Sequence, residues 1–486
     1  MVRVRFAPSP TGNLHIGTLR TALFNWLFAK ANKGVFVLRI EDTDLERSRS
    51  EYETNILQGL KWFGITIDEG PNAGGLLGPY RQSERIKDGT YTQYAMQLIK
   101  EKKAYFCFCT DEELNKEREF AKSKNVPYVY SRKALKLTQK EVEQKLADKQ
   151  PYTIRFKMPD NEEIKFNDQI RGEISFKSEL ISDFVIIKSD GSPSYNFAAV
   201  IDDMLMEITH IIRGEDHISN TPRQIAIYNS LGKSRPEFAH MPMILGPDRS
   251  KLSKRHGATS ITDYRDTGLL NQACFNYLSL LGWSPEDNQE FFTREELAEK
   301  FKISRIGKSN AIFDIKKLHW MNGQYIRKLS PGELKDSVYP FISDKHKEQL
   351  NKYDLNIQES LIYSVKDNLV TLQDINDYIA VYFETDEKYM SNLETFDKEK
   401  LQNDKAVIES FINNIEPLNN NLKVADIDQA LNKVMAVTGN GKGKVYKPIR
   451  IATSAQNSGP HITDLLSIFG KEKLEKRLTN FLDYIR

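Results

Sequence analysis

A loop near the N-terminus contains the first side chains suited to handling a phosphate group. It covers residues 6–18 and reads FAPSPTGNLHIGT. Its prolines and glycines fix a tight turn before a helix, whose unpaired N–H groups and dipole favour a bound phosphate. Gly17 leaves room for a nucleotide, and His15 can donate to phosphate oxygens during a reaction. An ordinary strand-to-helix turn with a capping histidine fits the same residues, so the loop alone is a hypothesis.

A second loop, residues 246–257, reads GPDRSKLSKRHG and concentrates positive charge. Four cations fall within residues 249–255, and glycines flank them. Such a loop suits a mobile clamp that gathers pyrophosphate oxygens during displacement at an α-phosphate. Taken alone, a basic run of this kind is more often a solvated surface.

The elements around the first loop predict a βαβ unit. Residues 2–6 alternate as a strand, residues 35–40 form an apolar run interrupted by Arg39, and the segment between them has helical spacing. The helical positions are Leu19, Ala22, Leu23, Trp26 and Leu27. Parallel strands place ligand sites at their carboxyl ends, which is where the first loop lies.

The remainder of the chain changes character twice. Residues 103–188 begin with a charged helical stretch at 111–149 and continue with alternating strands such as 152–158, which indicates an insertion. Patterns of the first unit resume at 184–188 and 208–213. After residue 322 the chain is predicted to be almost wholly helical, with a glycine-rich break at 439–444.

Bulk composition limits the class of protein. A chain of 486 residues is too long for one core and predicts several domains. There is no apolar stretch of about 18 residues or more and no apolar N-terminal leader, so we expect a cytoplasmic protein without a membrane span. The net charge of +2 does not by itself indicate a nucleic-acid binder, although a local basic surface is compatible with it. Three cysteines are too few for a disulfide scaffold.

Taken together, the two loops resemble the HIGH and KMSKS signatures of class I aminoacyl-tRNA synthetases. They read HIGT at 15–18 and KLSKR at 251–255, so Thr18 replaces the last histidine of the first signature. Further segments resemble the bacterial glutamyl-tRNA synthetase family, in the family's order. They are Arg5–Gly12, Leu38–Asp44, Tyr195–Phe197, Val200–Asp203, Ile212–His217 and Trp320–Gly323. The resemblance is dense over residues 1–325.

This resemblance implies an α/β fold, with a Rossmann-like doubly wound parallel sheet, an inserted α+β domain and an all-α anticodon-binding half. The implied domains are a catalytic domain at 1–102 and 189–240, an acceptor-stem-binding insert at 103–188, a stem-contact region with the KLSKR loop at 241–322, and a helical anticodon-binding part at 323–486.

The resemblance also implies a glutamate site. Arg5 and Arg213 would hold the carboxylates of the amino acid, Glu41 its ammonium group, and Tyr195 and Ser9 would line the pocket. The chemistry agrees, because two carboxylates and one ammonium call for two guanidinium forks and one carboxylate. Without the family, Arg5 and Glu41 could equally be surface charges at strand ends. Residues 220–222 read as a structural cap followed by proline at the start of a helix.

For the nucleotide, the resemblance implies seven binding residues: Thr11, His15, Gly17, Lys251, Ser253, Lys254 and Arg255. Lys254 would stabilise transition-state charge, Lys251 and His15 would position phosphates, and Gly17 would permit close approach. Magnesium is expected with ATP, held mainly by phosphate oxygens and water.

A structural zinc is not expected. Some members of the family hold zinc in the insert through a Cys-x-Cys pair and a second pair further on. Cys107 and Cys109 supply the first pair, but the second is missing, and no histidine occurs between His15 and His210. We therefore expect the two cysteines to be packing residues.

The predicted enzyme forms glutamyl-adenylate from ATP and glutamate and then transfers the acyl group to the 3′-terminal ribose of tRNA(Glu). Whether tRNA(Gln) is also charged stays open, and a monomer is expected. A glutaminyl-tRNA synthetase is the nearest rival, but its anticodon half is built of β-barrels. A shorter paralogue that modifies a tRNA base lacks the second half, and a non-catalytic tRNA-binding module has no need of two triphosphate loops.

Overall fold

A computed structural model describes residues 1–44, 48–253, 255 and 260–486. The chain folds into two compact units. The first comprises residues 1–263 and 275–314, and the second comprises 264–274 and 315–486. Within the described ranges, no helix is long and apolar enough to cross a membrane.

All described strands lie in the first unit. They are β1 (Arg3–Phe6), β2 (Val35–Leu38), β3 (Ala104–Cys107), β4 (Thr153–Phe156), β5 (Glu163–Asp168), β6 (Gly172–Lys177), β7 (Phe184–Ile187), β8 (His210–Gly214), β9 (Glu237–Met241), β10 (Ile244–Leu245) and β11 (Ala311–Ile312). Helices up to residue 300 are α1 (Ile16–Ala31), α2 (Ser50–Phe63), α3 (Gln82–Lys87), α4 (Thr90–Lys100), α5 (Asp111–Ser123), α6 (Gln139–Ala147), α7 (Tyr195–Leu205), α8 (Thr221–Ser230), α9 (Ile261–Asp266), α10 (Asn271–Leu280) and α11 (Arg294–Lys300).

Residues 315–486 are predominantly helical and contain no strand, as the sequence predicts for the chain after residue 322. The helices are α12 (Ile315–Arg327), α13 (Pro331–Val338), α14 (Asp344–Leu350), α15 (Leu355–Ser364), α16 (Ile375–Phe383), α17 (Asp386–Leu393), α18 (Lys398–Gln402), α19 (Lys405–Ile415), α20 (Val424–Thr438), α21 (Lys442–Ser454) and α22 (Ile462–Ile485). The predicted glycine-rich break separates α20 from α21 but is shorter than the predicted range 439–444, because residues 442–444 form the first turn of α21. Gly439 ends α20 at a left-handed φ of 66°. Gly470 likewise interrupts α22, at φ 73°.

The βαβ unit predicted at the N-terminus is confirmed. Strands β1 and β2 pair in parallel and α1 connects them. Strands β8 and β9 also pair in parallel, and the Thr209 N–H beside β8 donates to the Arg3 carbonyl at 2.9 Å. The carboxyl ends of β1 and β8 therefore carry Arg5 and Arg213, the two arginines of the expected glutamate site.

The sheets of the first unit are mixed, which agrees with the predicted combination of a parallel sheet and an α+β insert. Strands β3, β4 and β7 form an antiparallel sheet, while β5 and β6 form an antiparallel hairpin. Residues 184–187 thus pair with the insertion instead of resuming the parallel sheet. At its end β5 pairs in parallel with β9, where Asp168 lies opposite Phe238. Side-chain alternation indicates a strand but not its partner, so the sequence could not decide these pairings.

The charged stretch 111–149 is also not one continuous helical segment. It consists of α5 and α6, with a 3-10 helix at Lys133–Lys136 between them. Each α-helix starts with a capping box, in which Thr110 pairs with Glu113 and Thr138 with Glu141. These boxes are the sequence signal that separates the two helices.

Candidate active site

Helix α1 begins directly at the first loop, and His15 is its N-cap. The His15 Nδ1 accepts a hydrogen bond from the Gly17 N–H at 3.0 Å. Burial and the nearby charge of Lys251 lower the pKa of His15, which favours the neutral imidazole. With Nδ1 as acceptor, the neutral ring carries its proton on Nε2 and can donate from that side. A Cβ on Gly17 would lie 3.3 Å from Nδ1, so the glycine accommodates the histidine ring.

A cavity of about 360 Å³ opens beside this helix N-terminus. Its lining combines the predicted phosphate loop with the predicted amino-acid residues. The sequence-predicted residues that it brings together are Arg5, Ser9, His15, Gly17, Glu41, Tyr195, Arg213 and Lys251. Thr11 lines a smaller adjoining cavity that shares Ser9, His15 and Thr18 with the first.

Buried carboxylates hold the charged side chains on one wall of the cavity. The Arg5 Nε donates to Asp203 Oδ1 at 3.0 Å, and the Arg39 Nη1 donates to the same oxygen at 2.6 Å. The Arg39 Nη2 donates to Glu41 Oε1 at 2.9 Å. Although burial opposes ionisation, Arg39 and Arg5 keep the pKa of Asp203 below its ordinary value. These ion pairs connect β1, the end of β2 and α7.

The pKa of Glu41 departs in the opposite direction from that of Asp203, because Asp203 accepts hydrogen bonds from both Arg39 and Arg5, whereas Glu41 accepts one from Arg39 and lies near the negative charge of Asp202. Burial raises the pKa of Glu41, against the lowering effect of Arg39 and Arg5. A carboxylate that is poorly solvated in this way gains much from a cationic ligand. Its position in the cavity therefore suits the ammonium group of an amino acid.

Arg213 is held on three sides and has capacity for a ligand. Its Nε donates to His240 Nε2 at 3.0 Å, and its Nη2 donates to Thr221 Oγ1 at 2.8 Å and weakly to the His217 carbonyl at 3.4 Å. Its Nη1 is buried, and no group in the described part of the chain accepts from it. Burial lowers the pKa of the guanidinium, which makes an anionic partner favourable. A substrate carboxylate would supply the missing acceptor.

The KLSKR loop enters the cavity through its first residues. Lys251 and Leu252 line the cavity, and Lys251 forms a β-bridge with Leu245. Arg255 is directed to its own loop, where it pairs with Asp248 at 3.3 Å and donates to Ser250. Ser253 lies in the described loop outside the lining residues, and Lys254 lies outside the described residues.

The predicted structural cap at residues 220–222 is partly wrong. Proline does lie at the start of α8, but the Asn220 side chain makes no capping hydrogen bond, because a 3-10 helix at Glu215–Asn220 leads into α8. The Asn220 Nδ2 lies 3.3 Å from the His217 Nδ1 instead. Thr221 was read as structural and is in fact a direct partner of Arg213.

Several residues of the site escaped the sequence analysis. Arg39 was assigned no role in the site from the sequence. An arginine within an apolar run is expected to be buried and to need anionic partners, and this was the signal that could have pointed to Asp203. His217 lines the cavity, and the Tyr195 hydroxyl lies 3.2 Å from its Nδ1. His240 lies within the strand Glu237–Met241, where a histidine between apolar residues was the available signal.

The predicted packing cysteines surround a tyrosine hydroxyl. The Tyr130 oxygen lies 3.5 Å from the Cys107 Sγ and 3.2 Å from the Cys109 Sγ. It also accepts from the Ala134 N–H at 3.2 Å, and Arg155 stacks over its ring at 4.3 Å. In the described ranges, no group of three or more His, Cys, Asp or Glu side chains could hold a metal ion.

Comparison with known families agrees with this fold. Residues 1–320 match the family described as "tRNA synthetases class I (E and Q), catalytic domain", and residues 333–482 match "Anticodon binding domain". The fold and the cavity thus define a class I tRNA synthetase with an anticodon-binding half. The helical residues 315–486 disfavour the β-barrel architecture of the glutaminyl rival.

Individual relatives show to which family of this class the chain belongs. The chain is 44% identical over 487 residues to a glutamate–tRNA ligase of Carboxydothermus hydrogenoformans, covering 99% of this chain and 100% of the relative. It is 45% identical to that of a Sulfurihydrogenibium species, with 100% of both chains covered. A crystal structure of a glutamate tRNA ligase from Elizabethkingia meningosepticum, in complex with its amino acid, superposes with a TM-score of 0.86 at 33% identity over 100% of both chains. The chain belongs to the glutamate–tRNA ligase family.

Proposed function

We propose that this chain joins L-glutamate to tRNA(Glu) in two steps. In the first, the glutamate α-carboxylate attacks the α-phosphate of ATP, and pyrophosphate leaves. In the second, the terminal ribose hydroxyl of the tRNA attacks the acyl carbonyl and releases AMP. The chemistry requires positioning and charge stabilisation, and no side chain needs to act as a covalent nucleophile.

The cavity that joins two buried arginines and one buried glutamate is the observation that carries the proposal. Arg5, Arg213 and Glu41 complement the two carboxylates and the ammonium of glutamate. A glutamine side chain would leave one guanidinium without a negative partner, and that loss gives the site its selectivity. We assign Tyr195 and Ser9 to the lining of the same pocket.

For ATP, the proposal assigns phosphate positioning to His15 and Lys251. The α1 N-terminus supplies N–H groups and a favourable dipole, and the neutral His15 can donate from Nε2. We assign Thr11, Gly17, Ser253 and Arg255 to nucleotide binding and Lys254 to stabilisation of transition-state charge. Because the described residues contain no carboxylate cluster for a metal, we assign Mg²⁺ to the triphosphate oxygens.

The remaining assignments concern tRNA and the state of the protein. We assign residues 103–188 to the acceptor stem, residues 241–322 to stem contacts, and residues 323–486 to the anticodon, since the last segment overlaps the matched anticodon-binding domain. We further propose a cytoplasmic monomer.

Charging of purified tRNA(Glu) with labelled glutamate and ATP tests the function. Arg213→Lys keeps a positive charge but loses the planar fork, so we expect kcat/KM for glutamate to fall on the order of a hundredfold. Arg235→Lys, at an exposed arginine of the same unit, is the matched control and should charge normally. No charging by the wild-type chain would overturn the proposal, and a parallel reaction with tRNA(Gln) reports whether that tRNA is also a substrate.

A further inference from the structure

We propose that His240 is a positioning residue for the Arg213 guanidinium, and that Asp168 fixes the His240 tautomer needed for this role. The inference rests on the proposed function, in which Arg213 holds a carboxylate of glutamate. It adds a buried relay, Asp168–His240–Arg213, behind the wall of the cavity.

The donor and acceptor roles in the relay follow from the chemistry of arginine. The Arg213 Nε lies 3.0 Å from His240 Nε2, and a guanidinium can only donate, so Nε2 must accept. A neutral imidazole with Nε2 as acceptor carries its proton on Nδ1. That Nδ1 lies 2.6 Å from Asp168 Oδ2, and the Nδ1–H donates to the carboxylate. Asp168 therefore fixes the tautomer of His240, and His240 in that tautomer accepts from the Arg213 Nε.

Burial makes the relay a defined arrangement. The side chains of His240 and Asp168 are both fully buried. Asp168 Oδ1 accepts from the N–H groups of Ile170 and Arg171 at 3.0 and 2.9 Å, which anchors the carboxylate. Although burial opposes ionisation, these bonds and the bond from His240 keep the pKa of Asp168 below its ordinary value. The carboxylate is thus ionised and acceptor-only at neutral pH.

The imidazole, in turn, is kept neutral. Burial lowers the pKa of His240, and the charges of Arg213 and Arg171 act in the same direction, against the raising effect of Asp168. His217 is a further titratable group that interacts with His240, and burial together with Arg213 lowers its own pKa to about 4. A protonated His240 would turn an Nε2–H toward the Arg213 Nε–H and remove the acceptor. The neutral ring is therefore the form that can hold the guanidinium.

Together, two fixed acceptors determine the plane of the fork. His240 accepts from Nε and Thr221 Oγ1 accepts from Nη2 at 2.8 Å, while the buried Nη1 has no acceptor in the described chain. A guanidinium fixed at two nitrogens is preorganised for a carboxylate at the third, so little rotamer entropy is lost on binding. Asp168 lies at the end of β5, in the inserted segment, so the insertion supports the amino-acid site from behind.

Three variants test the relay. His240→Leu removes the acceptor, and we expect KM for glutamate to rise on the order of ten- to a hundredfold, because Arg213 loses a charge-assisted bond. His240→Gln keeps an oxygen that can accept from Nε and should recover most of the affinity. Asp168→Asn weakens the anchor of the imidazole and should raise KM for glutamate by an intermediate factor. In all three, KM for ATP and kcat at saturating glutamate should stay near wild type.

The controls separate this role from a merely structural one. A general distortion of the folded site would raise KM for ATP together with KM for glutamate and lower the unfolding temperature, and such a uniform change in all three variants would overturn the relay. An unchanged KM for glutamate in His240→Leu would overturn it as well. If His240→Leu does not fold, a wild-type KM for glutamate in Asp168→Asn would also overturn the relay. Absence of charging by the wild-type chain, by contrast, refutes the proposed function itself.

Discussion

Glu41 is the residue whose charge should control binding of the amino acid. It is buried at the cavity, and burial raises its pKa even though Arg39 and Arg5 lower it. Only the ionised form attracts an ammonium group. Binding is therefore expected above the raised pKa and lost as the pH falls through it, at a pH higher than the value of about 4.3 of an exposed glutamate.

Glu41→Gln should reveal this dependence. At neutral pH we expect kcat/KM for glutamate to fall roughly ten- to a hundredfold, because the ion pair with the substrate ammonium is replaced by a hydrogen bond to an uncharged amide. In acid, the wild-type kcat/KM should decrease while that of the variant stays flat over the same range. A pH series of charging rates, at constant ionic strength, checks both. The same acidic decrease in the variant would show that another group titrates.

At the level of elements, the N-terminus of α1 combines stability and catalysis in one side chain. His15 caps the helix through Nδ1, and its other nitrogen is assigned to phosphate. Replacing His15 by alanine would remove the helix cap as well as the phosphate donor, and loss of a cap by itself costs about 1 kcal/mol of stability. Asparagine is a good N-cap and lacks the imidazole donor.

His15→Asn should therefore keep the unfolding temperature while slowing adenylate formation on the order of a hundredfold. Pyrophosphate exchange in the presence of tRNA(Glu) measures adenylate formation, and thermal unfolding measures the contribution of the helix cap. KM for glutamate should not change. A wild-type exchange rate would exclude His15 from the phosphate chemistry.

The inserted segment supplies a second element-level prediction, which concerns metal. Cys107 and Cys109 both contact the Tyr130 hydroxyl, which also binds the Ala134 N–H. We expect protein expressed with added zinc to be purified without stoichiometric zinc, and EDTA to leave the unfolding midpoint unchanged. One zinc per chain would contradict this prediction.

Tyr130→Phe provides the matching stability measurement. Loss of the hydroxyl leaves the buried Ala134 N–H without this acceptor, so we expect the free energy of unfolding to fall by about 1–3 kcal/mol. Chemical denaturation measures the change, and charging with a saturating supply of ATP and glutamate should continue.

At the level of the whole molecule, the chain contributes to the second unit in two separate segments, because residues 275–314 return to the first unit. Residues 264–274 belong to that unit, and Leu270 and Ala273 lie in its apolar core. Buried Asn322 fixes this segment, because its Oδ1 accepts from the Leu270 N–H at 2.8 Å and its Nδ2 donates to the Val370 carbonyl at 2.7 Å.

Asn322→Ala removes both bonds and leaves two backbone groups without these partners. We expect the free energy of unfolding of the second unit to fall by roughly 2–4 kcal/mol. Calorimetry should show the effect, with Asn420→Ala at an exposed site as control. Stabilisation of the first unit by ATP should persist, and equal loss in both variants would contradict the assigned role of Asn322.

Features that depend on local chemistry could be predicted from the residues alone. The loops at 6–18 and 246–257 and the helix break near Gly439 are all local patterns. The family segments then implied the residues Arg5, Glu41 and Arg213, and the structure brings these into one cavity. Turn residues and helix caps act within a few positions, so a linear pattern is enough to indicate them.

Contacts between residues far apart in the chain could not be predicted in this way. Residues 184–187 pair with β4, Asp168 reaches His240 behind Arg213, and residues 264–274 join the helical unit. Alternation and helical periodicity specify which face of an element is buried, but many elements could cover that face. The choice among them is made by register, packing and the pairing of buried charges, which depend on the complete fold.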